Sequence, residues 1–173
     1  MFTLGAGEMP ESSVVIFLGS SKDKQQAQRI VSFWKENGFK VNHKLRVLSA
    51  HKVPEAVLEA VREYEESFDG IVFIAVAGRS NALGPLISGH SLSPVINCPV
   101  LSEKFNYLDL LSSLRMPSNV PCSTVLEPEN AALHAVKLLA LKDQRLKKKL
   151  SGYMKKVKQE IKKEDGMIAL ETD

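Results

Sequence analysis

The sequence predicts a three-layer α/β sandwich, with a five-stranded parallel sheet covered by helices on both faces and a C-terminal amphipathic helix added to it. Three observations carry this expectation. Short apolar runs rich in β-branched residues recur at 14–18, 71–77 and 94–100, with weaker ones at 39–48 and 122–126. Residues at helical spacing fill the intervals between them. The runs at 14–18, 39–48 and 71–77 each end abruptly on a cluster of small polar residues. Strands alternating with helices over about 130 residues imply a parallel sheet. Right-handed crossovers then leave few topologies. The flavodoxin-like order 2-1-3-4-5 is expected, and it would gather the loops after strands one, two and three around one crevice.

The first strand, 14–18, is wholly apolar and breaks at Gly19-Ser20-Ser21-Lys22-Asp23. Ala27, Ile30, Val31 and Trp34 follow at helical spacing, with Gly38 as the stop. A small loop leading into a helix N-terminus offers free N–H groups and the positive end of a dipole, which suits a phosphate. It is neither G-x-G-x-x-G nor a Walker loop, which argues against a dinucleotide or a nucleoside triphosphate. The second strand, 39–48, alternates only in part, as expected near a sheet edge, and ends in Ser49-Ala50-His51-Lys52. Pro54 opens the next helix, where its missing N–H costs nothing, and Val57, Leu58, Val61 and Tyr64 carry it to about Glu66.

The third strand, 71–77, reads as central and covered on both faces. It turns polar at Gly78-Arg79-Ser80-Asn81, which is either a ligand loop or an ordinary strand-to-helix turn with Ser80 or Asn81 as N-cap. Residues 81–88 read as a short helix start that tolerates Pro85. The fourth strand, 94–100, is bracketed by prolines. A short helix over 108–114 leads to Arg115-Met116-Pro117-Ser118-Asn119, and a fifth strand over 122–126 precedes a helix that Pro128 opens and that runs over 130–141. Beyond it, Leu146, Leu150, Tyr153 or Met154, Val157 and Ile161 form a narrow apolar stripe on a very basic helix, in which Gly152 is a weak point. With the core already complete, that stripe is expected to pack on another subunit. The organisation is thus a flexible leader over 1–13, a globular domain over 14–142 expected to carry the site, a basic oligomer-contact helix over 143–164 and a frayed tail over 165–173.

Composition limits the alternatives. A chain of 173 residues is enough for one core and short for two, and 44% apolar with 25% charged residues is an ordinary globular balance. No apolar run approaches a membrane span, and the N-terminus lacks the pattern of a secretory signal, so a cytoplasmic location is expected. Cys98 and Cys122 have no C-x-x-C neighbour and read as buried free thiols. The formal charge of +3 is uneven: residues 142–163 hold ten basic side chains against Asp143 and Glu160, a net of +8, and the remainder is about −5. Lysines on a solvated helix face are commonplace, and neither nucleic acid nor a membrane is expected as a partner.

Together the three loops offer hydroxyls, N–H groups and cations for a phosphate, a carboxylate for ribose hydroxyls, and one histidine, the side chain suited to moving a proton near neutral pH. There is no acidic cluster for magnesium, no His/Cys set for zinc and no nucleophile elbow. Proton transfer at carbon or a lyase-type step on a phosphorylated small molecule is the chemistry that remains.

At this point five motifs in order match a known family: G-S-S-K-D at 19–23, S-A-H-K at 49–52, A-G-R-S-N-A-L-G at 77–84, S-S-L-R-M-P-S at 112–118 and S-T-V-L-E-P-E-N-A-A at 123–132. From about Val14 to Leu141 the sequence resembles the aminoimidazole ribonucleotide (AIR) carboxylases of purine (IMP) synthesis, the PurE-type enzymes. The mutase branch carries A-G-G-A-A-H-L-P-G and S-A-H-R, so the chain looks like the branch that uses carbon dioxide directly, which in animals is fused to a SAICAR synthetase domain. A chain of this length has no room for that domain, so a separate synthetase is an expected companion.

The resemblance implies reversible carboxylation of AIR to 4-carboxy-AIR (CAIR), with carbon dioxide as co-substrate and neither ATP, metal nor other cofactor. It implies that His51 shuttles the proton, and that Ser20, Ser21 and Asp23 bind phosphate and ribose, with Ser49 and Lys52 flanking. Gly78, Arg79, Ser80 and Asn81 would hold the carboxylate. Arg115 and Ser118 are further candidates. Lys22 replaces the second serine of the family's usual G-S-x-S-D, and either contacts phosphate or points to solvent. The family's octamers have active sites near subunit interfaces, so a homo-octamer is expected. The alternatives are the mutase acting on the N5-carboxylated nucleotide, or a catalytically weakened nucleotide-binding homologue.

Overall fold

A computed structural model describes residues 13–170. The expected leader up to residue 12 and the last three residues lie outside that range. Five strands, β1 (Ser13–Leu18), β2 (Asn42–Val47), β3 (Ile71–Gly78), β4 (Val95–Val100) and β5 (Ser123–Thr124), form one parallel sheet in the order β2-β1-β3-β4-β5. This is the flavodoxin-like topology that the alternating pattern implied. Helices α1 (Lys24–Glu36) and α5 (Pro128–Leu139) cover one face, and α2 (Pro54–Ser67) and α3 (Leu83–Ser88) cover the other. A short α4 (Leu111–Leu114) and a long α6 (Gln144–Leu170) complete the described chain.

The sheet is buried because its central strands have no polar face to show. In β1, Val14, Ile16 and Leu18 pack toward α1 and α5, while Val15 and Phe17 pack toward α2 and α3. β3 divides in the same way, with Ile74 and Val76 on one side and Phe73 and Ala75 on the other. Trp34 is 2% exposed and donates its indole N–H to the Ala132 carbonyl at 2.9 Å, which locks α1 to α5. Leu18 pairs with Val47 on one side and Val76 on the other. Strands β1 and β2 therefore end level and β3 runs two residues further, and their C-terminal loops emerge side by side. The turn after α1 uses Gly38 at φ 65°, the left-handed conformation that a glycine stop supplies.

Ser13 joins β1, α3 begins two residues later and α5 lies two residues earlier than expected; four further departures have a clear physical reason. β2 begins at Asn42 rather than residue 39, because the Phe39 N–H bonds the Trp34 carbonyl and the Val41 N–H bonds the Phe39 carbonyl. Those backbone groups serve the helix exit and are lost to the ladder. β5 has two residues instead of five: it follows Pro121, which has no N–H, and pairs with β4 alone before the chain turns toward Pro128. The helix expected over 108–114 is a 3-10 turn, Leu108–Leu110, followed by α4. The expected frayed tail is helical to Leu170, since Met167, Ala169 and Leu170 are good helix formers.

The stripe on α6 also divides. Leu146 is 6% exposed and belongs to the core, and Leu150 and Tyr153 pack beside it. The Tyr153 ring meets Phe33 at 5.8 Å and Phe39 at 5.5 Å between centroids. The first half of α6 therefore covers an aromatic surface at the end of α1 in its own chain, contrary to the expectation that the whole stripe was left for a partner. Ile161, Met167 and Ile168, further along, are exposed.

Candidate active site

A cleft of about 480 Å³ opens where the loops after β1, β2 and β3 meet, at the switch point between β1 and β3. The first loop contributes Gly19, Ser20, Lys22 and Asp23. Ser20 is extended and caps a 3-10 turn, Ser21–Asp23, with its Oγ accepting the Lys22 N–H at 3.3 Å. The Asp23 N–H returns to the Ser20 carbonyl at 3.0 Å. This turn brings the Asp23 carboxyl back over Gly19, where it is partly enclosed. Loss of hydration raises its pKa above the ordinary aspartate value, and a hydrogen bond from the Ser20 backbone offsets part of that rise. Ser21, expected to bind substrate, is exposed and lies outside the cleft lining.

The second loop is a tight turn. The Ser49 carbonyl accepts the Lys52 N–H at 3.1 Å and the Val53 N–H at 2.9 Å, which throws His51 and Lys52 onto the exposed rim. Ser49, Ala50, His51 and Lys52 all line the cleft. The third loop lines it with Gly78, Arg79 and Ser80, above Ala77 and Leu83. Gly78 is required by packing, because a Cβ there would lie 2.7 Å from the Val100 carbonyl oxygen. Arg79 follows with φ 58°, a left-handed backbone rare for a side chain other than Gly, Asn or Asp.

Asn81 is corrected by the structure. It is 3% exposed and does not line the cleft. Its Nδ2 donates to Ser113 Oγ at 3.0 Å, and its Oδ1 accepts the Gly84 N–H at 3.2 Å in the first turn of α3. Asn81 thus accepts a first-turn N–H of α3 from the position before its N-cap, Ala82, whereas Arg79 and Ser80 line the cleft. Arg115 and Ser118 are exposed residues at and beyond the end of α4, and neither reaches the cleft of its own chain.

Sequence reasoning missed what holds the third loop from behind. Asn97, fully buried in β4, lies against Gly84 so closely that a Cβ on that glycine would collide with its Oδ1. A polar residue within an otherwise apolar strand was the available signal. Both cysteines are free, as expected, but only Cys98 is buried, its thiol pushed up to about 12 by that burial, while Cys122 is half-buried. No group of three or more His, Cys, Asp or Glu among the described residues is arranged to hold a metal ion.

In chemical terms the cleft joins three cations, an imidazole with no hydrogen bond to the described residues, a partly dehydrated carboxyl and small hydroxyls. It is large enough for a small phosphorylated molecule. Fold and cleft together define a flavodoxin-like α/β protein with a cation-lined cleft at its topological switch point.

Comparison with known proteins is consistent with that class and narrows it. The family model for AIR carboxylase matches residues 13–160. A bifunctional phosphoribosylaminoimidazole carboxylase/phosphoribosylaminoimidazole succinocarboxamide synthetase of Drosophila melanogaster is 48% identical over 128 residues, which is 74% of this chain and 29% of that protein. A phosphoribosylaminoimidazole carboxylase of Archaeoglobus fulgidus is 43% identical over 151 residues, covering 87% of this chain and 82% of that one. The crystal structure of Treponema denticola PurE superposes with a TM-score of 0.85 at 38% identity, covering 91% of this chain and 98% of that chain. The chain belongs to the AIR carboxylase family. It spans less than a third of the bifunctional relative and most of the single-function ones.

Proposed function

We propose that the chain interconverts AIR and CAIR in purine synthesis, using carbon dioxide directly. The observation that carries this reading is the placement of His51, its ring without a hydrogen bond to the described residues, in the same cleft as Ser20, Asp23, Arg79 and Ser80. Phosphate sits on the Ser20–Lys22 turn, where a hydroxyl and the Lys22 cation meet, and the Asp23 carboxylate accepts from ribose hydroxyls. The electron pair of the nucleophilic ring carbon forms a C–C bond to the carbon of carbon dioxide, and a C=O pair moves onto oxygen. The ring carbon is then tetrahedral and carries both hydrogen and carboxylate. His51 takes that proton, and the C–H pair returns to the ring and restores its aromaticity. Donors from Gly78, Arg79 and Ser80 hold the carboxylate. In the reverse direction His51 delivers the proton and carbon dioxide leaves. Neither ATP nor a metal takes part in this scheme.

The protein is proposed to act in the cytoplasm as a homo-octamer, beside a SAICAR synthetase. The test of function is CAIR decarboxylation without ATP or metal, wild type beside His51→Asn, followed by AIR with rising carbon dioxide and, separately, the N5-carboxylated nucleotide. Turnover of AIR that saturates with carbon dioxide and falls at least about a hundredfold in His51→Asn is expected. Turnover of the N5-carboxylated nucleotide alone would make the protein a mutase, and nucleotide binding without turnover would make it a binding homologue.

A further inference from the structure

The motif at 112–118 contributes nothing to the cleft lining, yet its first two serines are spent on the third loop. Ser112 Oγ accepts the Asn81 N–H at 2.9 Å and lies 3.0 Å from the Arg79 carbonyl and 2.7 Å from the Asp109 carbonyl, which share its single proton. One hydroxyl thus takes both backbone groups that flank Ser80, and Ser80 itself is left facing the cleft. Ser113 works one layer deeper. Its Oγ accepts Asn81 Nδ2 at 3.0 Å, and its carbonyl accepts Thr124 Oγ1 at 2.7 Å and Asn97 Nδ2 at 3.5 Å. α4, β4 and β5 are tied through these bonds to a loop that belongs to β3.

We infer that Ser112 is a positioning residue for the carboxylate-holding loop, acting through the backbone of Arg79 and Asn81, with Ser113 holding Asn81 behind it. The need for such a device follows from Arg79. A left-handed non-glycine residue is held against its own preference and persists only where the surroundings over-determine it. Ser112 supplies that constraint on the carbonyl side of Arg79 and on the N–H two residues on. Without it, the peptide groups on either side of Ser80 can turn, and donors aimed at the carboxylate lose their aim. Donors fixed in advance stabilise charge in such a site most effectively, so loss of aim costs rate more than nucleotide affinity. This role rests on the carboxylase reading of the cleft.

The experiment compares wild type, Ser112→Ala and Ser112→Thr by amide hydrogen exchange over residues 79–82 and by the ratio of CAIR to AIR affinity. In Ser112→Ala, exchange at 79–82 is expected to rise at least about tenfold with the β1 and β3 amides unchanged, the preference for CAIR over AIR to be lost, and kcat for decarboxylation to fall about ten- to a hundredfold with KM for CAIR rising no more than the lost preference accounts for. Ser112→Thr, which keeps the hydroxyl, is expected to restore all three. Unchanged exchange at 79–82, an intact CAIR preference, or failure of a folded threonine variant to restore either would overturn the inference. If Ser112→Ala does not fold, Ser112→Cys keeps the volume with a poor hydrogen-bonding group and is read in the same way. A wild-type protein that binds AIR and CAIR equally and turns over neither would sink the carboxylase reading, while hydrogen exchange would still decide whether Ser112 holds the loop.

Discussion

Arg79 occupies a backbone conformation that suits glycine, and it is the one positive-φ residue among those described that lines the cleft. The strain is worth about 1–2 kcal/mol. Arg79→Gly removes it but gives the unfolded chain more freedom, an opposing effect of about 0.4–1 kcal/mol. Melting temperature should therefore stay within a few degrees of wild type, whereas Arg79→Ala keeps the strain. Both variants lose the guanidinium, so both should lose at least about tenfold in kcat/KM for CAIR. Thermal unfolding beside steady-state kinetics separates strain from charge. If only the alanine variant were inactive, the guanidinium would have no part in binding. Asp23 presents a similar conflict. Its folded pKa is raised, so between the ordinary value and the raised one the native state binds more protons than the unfolded state, and the unliganded protein loses stability as pH rises through that window. Asp23→Asn should raise the melting temperature of the unliganded protein at neutral pH, the gain vanishing at pH values where both forms of Asp23 are protonated. Nucleotide affinity should fall in the same variant. A lower melting temperature at neutral pH would show that the carboxylate has a favourable partner.

At the scale of elements, the cleft depends on how closely α3 approaches β4. Gly84 in the first turn of α3 meets the buried Asn97, and no side chain fits between them. Gly84→Ala should cost about 1–3 kcal/mol, as overpacking does, and Asn97→Ala should cost less in that background than alone. A double-mutant cycle by denaturant unfolding measures the coupling, and additivity would rule it out. The same elements show what the sequence disclosed. The strand ends at Gly19, Ser49 and Gly78 were legible because apolar runs break there into small polar residues, and topology alone brings such ends together. The length of β5 was not legible, because an edge strand lasts only as long as its neighbour pairs with it. Nor was the role of Asn81: residue type cannot separate a loop-holding side chain from a ligand, and its Nδ2 is taken by Ser113, 32 positions away. Ser112 was visible as part of a motif, but its purpose is a contact across 31 residues to Asn81.

For the whole molecule, α6 has two parts, one packed on its own chain and one exposed. Leu146, Leu150 and Tyr153 lie on the core, and full burial of one such side chain stabilises by about 1.5–3 kcal/mol, less where burial is partial. Ile161, Met167 and Ile168 are exposed to the extent of 60%, 56% and 63%. They stand beyond most of the basic stretch, on residues 158–170 that hold three basic against three acidic side chains, so their exposed apolar surface, and not charge, is what a second copy of the chain would cover. Two truncations distinguish the parts. Deleting residues 144–173 uncovers Phe33 and Phe39 and should lower the melting temperature by at least about 5 °C, the scale on which 1 kcal/mol amounts to about 2–4 °C in a chain of this size. Deleting residues 158–173 leaves those contacts in place, so at concentrations where the protein is dissociated its melting temperature should match the full chain. The two should differ instead in mass by light scattering at high concentration, with the full chain larger, and in how melting temperature rises with concentration, since association stabilises only what associates. A shorter truncation that melts early even when dissociated would place the distal half of α6 on its own protomer and remove the reason for assigning it to a partner.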